Sequence, residues 1–562
     1  MIRDLSTASR LVTLLAACVL AGCAATAERT DSKPGEEELP SDPDALVLGA
    51  EVALQRGEYL QAARAYVRAA RNAKDEELAE QAARIAYEHQ QWSLAQAAAE
   101  RWLELNQTSE EGRRLAAFAA LRLYRIDTAA EHFSVLLDTA FINASAGFLA
   151  LLPQIAEEGS PAAATAVLQK LVAKYPDLTE SHYALAQAAV QSDNFTLALE
   201  HARKARELGP YWAPAGLLLA RVQMLKGESD AALVTARQVL EQDDDDSYRL
   251  EHALLLMQAG QVDEGRKELE ELAKSETAGP LAQRALADID FQTGSRDAAA
   301  KRYSSLISSG RFVWESLFFL GAIAEAREAW GDALQLYGRV TSGDFAMAAQ
   351  TRAARIKAKR EGLAAGLKHL EEFTSTRPEF RVDGIAARAS ILSEHGDADG
   401  AIALLEQGLE QYPDSSELRF AYVFQLEDTD RVNQAIEILR KLVADRPGDP
   451  AAQNALGYTL VDRTRHHREG LELIEQALAQ TPDSGAVLDS MGWALHRLGR
   501  HEEALQYLEH AKRRISDPEV DLHLGEVLLA LERVEDARAV LAEAVERYPD
   551  NTELRQRLEQ LP

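Results

Sequence analysis

The hydrophobic pattern of this chain is helical, and it repeats. From residue 489 to 511 the sequence "DSMGWALHRLGRHEEALQYLEHA" sets small and apolar residues among good helix formers. A Gly-Arg turn breaks it once, so the stretch predicts two short helices. Gly492 stands inside the first of them, between Met491 and Trp493, where glycine costs roughly 1 kcal/mol relative to alanine. The same aliphatic–glycine pair returns as Leu456-Gly457, Leu524-Gly525 and Leu320-Gly321. A cost accepted repeatedly at one place in a pattern marks a packing requirement, and calls for a test of fixed periodicity.

Twelve positions beyond Gly492 stands a second small residue, Ala504. In register with it are Ala62, Ala95, Ala129, Ala164, Ala198, Ala232, Gly265, Ala299, Ala333, Gly366, Ala401, Ala435, Gly470 and Ala537, spaced 33 to 35 residues apart throughout. Alanine holds twelve of these fifteen anchors and glycine the other three, far more than alanine's share of the chain would place there. Twelve residues after the anchor, Pro176, Pro210, Pro378, Pro413, Pro447, Pro482 and Pro549 close seven of the units. Proline cannot continue a helix and biases the residue before it away from helical dihedrals. Each unit is therefore a predicted helical hairpin, with turns that often hold glycine (Gly159, Gly227, Gly260, Gly294, Gly396, Gly499). The small residues belong where its two helices cross closest, so Gly492 is expected to face Ala504.

This pattern resembles the tetratricopeptide repeat, whose consensus has an aliphatic-Gly pair in the first helix, Ala in the second and Pro at the end. The resemblance covers residues 43–550. It is strong in the last five units and in the fourth and fifth, and weaker from 213 to 380. It implies an all-α solenoid of about fifteen helix-turn-helix units wound into a superhelix, each unit packing on its neighbours. The tail "NTELRQRLEQLP" (551–562) has the length and polarity of a capping helix. With the repeats taking nearly all of the 562 residues, no stretch outside them is long enough for a catalytic domain.

The N-terminus "MIRDLSTASRLVTLLAACVLAGCAATAERT" places Arg3 and Arg10 before an apolar run from Leu11 to Leu20. That run is shorter than the ~20 residues a membrane span needs, and residues 1–22 read as a secretory signal. It ends in Leu20-Ala21-Gly22-Cys23, which resembles the bacterial lipobox. The resemblance implies that Cys23 is lipidated and becomes the first mature residue. Ala24 after it, rather than Asp, implies sorting to the outer membrane, facing the periplasm. Several acyl chains together anchor stably where one does not. Cys18 lies in the signal, so the mature chain keeps no other thiol, which suits an oxidising compartment. After Cys23, residues 24–42, "AATAERTDSKPGEEELPSD", are acidic and lack apolar periodicity. They read as a flexible tether that spans roughly 25 Å as a random coil.

Charge narrows the partners. The net charge of −29 becomes −30 when the signal's two arginines and one aspartate are removed. Nucleic acid, which needs a basic footprint, is excluded as a partner, and basic partners are favoured. "EQDDDDSY" (241–248) lacks the glycine and distal glutamate of an EF-hand loop and reads as an acidic loop that starts a helix. In "RHEEALQYLEH" the position that HExxH zinc binding gives to histidine is Leu505. His466 and His467, among Arg463, Arg465 and Arg468, read as an exposed basic turn. With no Gly-rich phosphate loop and no nucleophile elbow, the sequence predicts no catalytic residue, no metal site and no cofactor.

What remains for function is a surface. In tetratricopeptide solenoids the first helix of each unit lines the concave face. That resemblance turns inward Phe420, Phe424 and Glu427, then Asn454, Tyr458 and Asp462, then Asp489, Trp493, His496 and Arg497. Tyr458 and Trp493 hold equivalent positions in adjacent hairpins, with Asn454 and Asp489 one turn before them. Together they predict a groove for an extended peptide or a partner helix. The peptide-carboxylate clamp of chaperone-binding relatives is not expected, since this groove has one Asn and one Arg. The run from "NALGYTLVDR" through "DSMGWALHRLGR" to "DPEVDLHLGEVL" is also similar to large proteobacterial tetratricopeptide lipoproteins, including the lipoprotein partner of a periplasmic carboxy-terminal processing protease. That resemblance, over the last three repeats, implies a non-catalytic adaptor that binds the protease and delivers peptidoglycan hydrolases to it. The alternative is a structural lipoprotein subunit of an outer-membrane or polysaccharide-export assembly complex.

Overall fold

A computed structural model describes residues 42–561; the signal, Cys23 and the tether up to residue 41 lie outside the described residues. Within the described residues the regular structure is helical throughout, with 31 α-helices and one short 3-10 turn. Thirty of the helices pair as fifteen hairpins, from Pro43–Gln55 with Tyr59–Asn72 to Pro518–Ala530 with Val534–Arg547. They are numbered here as repeats 1 to 15. The last helix, Thr552–Glu559, buries Leu554 against Leu541 and Ala544 of repeat 15. The result is an all-α solenoid, continuous through the stretch where the sequence pattern weakens. No helix among the described residues is long and apolar enough to cross a membrane.

All fifteen anchors are buried, which is why they are small. A Cβ on Gly492 would meet Leu508 Cγ at 2.6 Å and the Ala504 carbonyl oxygen at 3.1 Å. Gly492 thus faces Ala504 as expected, but the tightest neighbour is Leu508, one turn further along. The three anchor glycines have a reason of their own. A Cβ on Gly265, Gly366 or Gly470 would lie 2.8, 2.6 and 2.6 Å from the carbonyl oxygens of Ala253, Ala354 and Gly457. In these hairpins the backbones approach too closely even for alanine. In repeat 13 glycine meets glycine, since a Cβ on Gly457 would in turn lie 2.8 Å from Gly470 O.

The hairpin turns need one left-handed residue. Gly227, Gly260, Gly294, Gly396 and Gly499 supply it, with φ between 78° and 82°. Gly159 does not: its φ is −100°. A side chain there would run into Leu121 Cδ2 at 2.9 Å and Ile155 O at 3.0 Å, so that glycine is set by packing. The acidic loop at 241–248 starts a helix, Asp246–Gln258, whose N-cap Asp245 accepts from Ser247 N at 2.8 Å. The longer turn of repeat 13 leaves His466 exposed, while His467 Nε2 bonds the Thr464 carbonyl oxygen at 2.9 Å.

The superhelix also closes on itself. Turns of the early repeats dock on the ends of repeats lying 286 to 324 residues further along. Arg381 donates to the Tyr59 hydroxyl at 2.8 Å and sits over its ring. Tyr124 OH donates to Gly448 O at 3.0 Å, and Arg446 to Arg122 O at 2.9 Å. Asn194 donates to Gln480 O at 2.9 Å. Asp414 accepts from both the backbone N–H and the hydroxyl of Ser93 at 2.9 Å, and Asp483 from the N–H of Phe195 at 3.0 Å. Ser93 and Phe195 stand in the first turns of Trp92–Leu105 and Phe195–Leu208, where backbone N–H groups have no intrahelical partner. Each of these helices is therefore capped by an aspartate from the next superhelical turn, where a negative charge also meets the favourable end of the helix dipole. Gln90, Tyr124 and Asp193 take the left-handed turn position without being glycine. The seam supplies a bond at each: Gln90 to Glu379 O (3.2 Å), Tyr124 to Gly448 O, and Asp193 O from Asp483 N (2.9 Å).

Candidate partner-binding groove

Four successive first helices, Ser416–Asp428, Pro450–Arg463, Gly485–Arg497 and Pro518–Ala530, meet around a cavity of about 420 Å³. Helical spacing puts every third or fourth residue of each on this side. Phe420, Phe424, Asn454, Tyr458 and Asp489 all line it, together with Glu427 and Asp462. Phe424 stands 60% exposed, a large apolar side chain with no cover. Asn454 presents a buried Oδ1 that has no hydrogen-bond partner.

Trp493 and Arg497 are not among the cavity's lining. Trp493 is half-buried, packed on the core of repeats 13 to 15, and stacked between His523 at 4.1 Å and His496 at 5.0 Å. Its indole N–H donates to Asp462 Oδ1 at 3.0 Å. Arg497 donates to Asp462 O at 3.1 Å and holds its carboxylate at 3.6 Å. The two residues therefore build the groove's framework through Asp462. The tryptophan, which the register turns toward the groove, is partly core.

Two further residues were missed. Tyr458 OH donates to Glu519, and His523, 6% exposed, holds Asp489 at 3.0 Å through Nδ1. His523 lies two residues before Gly525, off the inward positions counted from the glycine. It fills the gap between hairpins rather than the groove wall, and only the close approach of repeats 14 and 15 shows it.

The electrostatics follow from burial and pairing. Burial pulls the His523 imidazolium down, but the hydrogen bond and charge of Asp489, helped by Glu519 and Asp462, outweigh it and hold the pKa above the usual value. Burial, the neighbouring His501 and other cations push His496 down to about 4. Burial lifts Glu427 and Glu519 above the ordinary carboxylate range, since desolvation disfavours the charged form. Tyr458 is raised too, by burial first and then by Glu519. A histidine whose folded pKa is raised stabilises fully below its unfolded value, near 6.5, and loses that contribution as pH climbs through the raised one. Asp489→Asn is therefore expected to lower the melting temperature more at pH 6 than at pH 8.5, measured against the wild-type chain at each pH. An equal loss at both would mean that His523 is neutral in the fold.

Among the described residues no group of three or more His, Cys, Asp or Glu side chains is placed to hold a metal ion. What the groove offers is recognition: exposed aromatic surface and carboxylates.

Two family models, both described as tetratricopeptide repeat, match the chain. One covers residues 392–457 and 495–561, the other 156–212, 284–343 and 454–519. Among characterised sequences, the chain is similar to the TPR repeat-containing protein PA4667 of Pseudomonas aeruginosa. The two are 34% identical over 209 residues, which is 37% of this chain and 35% of that protein. It is also similar to the TPR repeat-containing protein YpiA of Bacillus subtilis, 27% identical over 191 residues, 33% of this chain and 44% of that protein. The chain thus spans about a third of the first relative and less than half of the second. Among solved structures, a chain of the APC/C hetero-tetramer Cut9–Hcn1 aligns over 93% of this chain and 96% of its own at 15% identity, with a TM-score of 0.30. A likeness that loose carries nothing about function.

Proposed function

Because the chain is a tetratricopeptide-repeat protein, we propose that it is a non-catalytic scaffold. Its groove at repeats 12 to 15 takes a protein partner, and a lipidated Cys23 with the acidic tether to residue 42 holds it to the periplasmic side of the outer membrane. The partner this reading favours is a carboxy-terminal processing protease, with peptidoglycan hydrolases as the proteins delivered to it. The observation that carries the scaffold reading is the groove itself, where Phe424 is exposed and Asn454 Oδ1 is unsatisfied. Apolar surface and unpaired polar atoms are expensive to leave standing unless something covers them. The lipobox at residues 20–23 and the resemblance of repeats 13 to 15 to adaptor lipoproteins support the anchor and the partner.

The test is affinity capture from detergent-solubilised envelopes, read by mass spectrometry. A processing protease and cell-wall hydrolases are expected to be enriched, and Phe424→Ala is expected to deplete them. Cys23→Ser is expected to leave the chain soluble in the periplasm or still carrying its signal. Enrichment of β-barrel or polysaccharide-export components in place of the protease would replace the adaptor with a structural subunit. Substrate turnover by the purified chain alone would end the scaffold reading.

A further inference from the structure

The charges of the groove indicate what fills it. Six carboxylates line the cavity: Glu427, Asp428, Asp462, Asp489, Asp517 and Glu519. Asp462 is matched by Arg497 and Trp493, and Asp489 by His523. Asp517 caps its own helix, accepting from Glu519 N at 2.9 Å. The one lysine or arginine of the lining, Arg463, pairs with Asp430 at 3.0 Å and meets Glu427 at its backbone carbonyl, 3.4 Å away, rather than at its carboxylate. Glu427 is left with a neutral donor, Thr459 Oγ1 at 2.7 Å, and Glu519 with the Tyr458 hydroxyl. The nearest cation to Glu519 is His523, whose Nε2 is 4.0 Å away.

Glu427 is half-buried and Glu519 exposed, and neither carboxylate is paired with a lysine or arginine among the described residues, so an opposite charge entering the site is attracted by both. Burial holds both above the ordinary carboxylate range, and a cation seated between them would pull them back down. Beside them lie an apolar floor of Phe420, Val423 and Val520 and the exposed Phe424. Those features ask two different things of one ligand: a cation and apolar bulk. A small polyamine has no bulk to cover Phe424. An extended polypeptide supplies both within two or three residues, since its side chains alternate.

Resting on the reading of this groove as the partner site, we propose that it binds an extended segment in which a lysine or arginine stands beside a bulky apolar residue. The cation sits between Glu427 and Glu519, and the apolar side chain covers Phe424.

Fluorescence polarisation on the full mature chain tests it, with labelled Gly/Ser decapeptides carrying Leu-Lys-Leu, Leu-Glu-Leu or Ser-Lys-Ser at the centre. The Leu-Lys-Leu peptide is expected to bind at least about tenfold tighter than either other, in keeping with a desolvated charge pair plus an aromatic contact. Glu427→Gln with Glu519→Gln is expected to erase that advantage, and so is Asp428→Lys at the exposed rim, a change no packing depends on. Glu241→Gln with Glu270→Gln, which takes the same charge from exposed sites elsewhere, is expected to leave it within about twofold. An equal loss in that remote pair would reduce the effect to the chain's overall charge and overturn the proposal. Equal binding of Leu-Lys-Leu and Leu-Glu-Leu, both weakened by Phe424→Ala, would overturn the cation while leaving the groove as the partner site. Absence of Leu-Lys-Leu binding, or binding untouched by every groove variant, would remove the groove as well.

Discussion

Gly492→Leu is expected to unfold the C-terminal hairpins at a markedly lower temperature than the wild-type chain. The space beside Gly492 is already taken by Leu508 Cγ at 2.6 Å and by the Ala504 carbonyl oxygen at 3.1 Å from where a Cβ would sit. The first of these can swing and the second cannot, because it is backbone of the paired helix His501–Arg514. Overpacking of this kind costs about 1–3 kcal/mol, and a carbonyl that must move with its helix puts this site toward the upper end. The loss should spread, because Leu508 shares one buried cluster with Val461 of repeat 13 and Leu524 and Val527 of repeat 15, and each repeat of a solenoid is stabilised by its neighbours. Thermal unfolding with hydrogen exchange resolved by peptide reads both effects. Gly470→Ala is the sharper companion: alanine is the ordinary residue at this anchor, yet here its methyl would lie 2.6 Å from Gly457 O. If Gly470→Ala melted with the wild-type chain, the close approach of that hairpin would be refuted.

Asp483→Ala is expected to open the superhelix without melting individual hairpins. This aspartate is 5% exposed and serves both turns at once, capping Phe195 N through Oδ2 and accepting from Arg514 Nη2 at 3.1 Å through Oδ1. Arg514 in turn donates to Leu225 O at 3.3 Å and lies over the Phe195 ring. Truncation leaves the Phe195 N–H without its acceptor, although Asn194 still caps Leu197 N at 3.0 Å, and leaves a guanidinium half-buried without its carboxylate. Hydrogen bonds to charged groups contribute roughly 1.5–3 kcal/mol, and a buried group left unpaired forfeits a similar amount. Small-angle scattering should show a larger radius of gyration, and amides at the start of Phe195–Leu208 and around Gln480 should exchange faster. Asp445→Ala offers the control, since its partner Arg419, at 3.5 Å, lies within the same repeat. An unchanged scattering profile for Asp483→Ala would mean that the seam is not held by its caps.

The repeat was legible in the sequence because it is enforced locally. A helical hairpin specifies its own crossing point through a small residue at a fixed offset, and the same demand fifteen times over leaves a register that chance cannot imitate. The ends were legible for the same reason, as proline and left-handed glycine act on their own backbone. The direction of the first helices also followed from the register, which is how Phe420, Phe424, Asn454, Tyr458 and Asp489 came to be placed on one cavity. Tertiary structure alone decided the rest. Which anchors must be glycine rather than alanine depends on how near a carbonyl of the facing helix comes, at Gly265, Gly366 and Gly470. Whether Trp493 is surface or core depends on His523 and His496, one of them a full repeat away. The seam joins residues some 290 to 320 positions apart. Its capping aspartates, Asp414 and Asp483, look in the sequence like ordinary loop residues. Periodicity records what each unit asks of itself and its neighbour. A contact nine repeats away depends on the accumulated twist of every hairpin between, and no local pattern carries that sum.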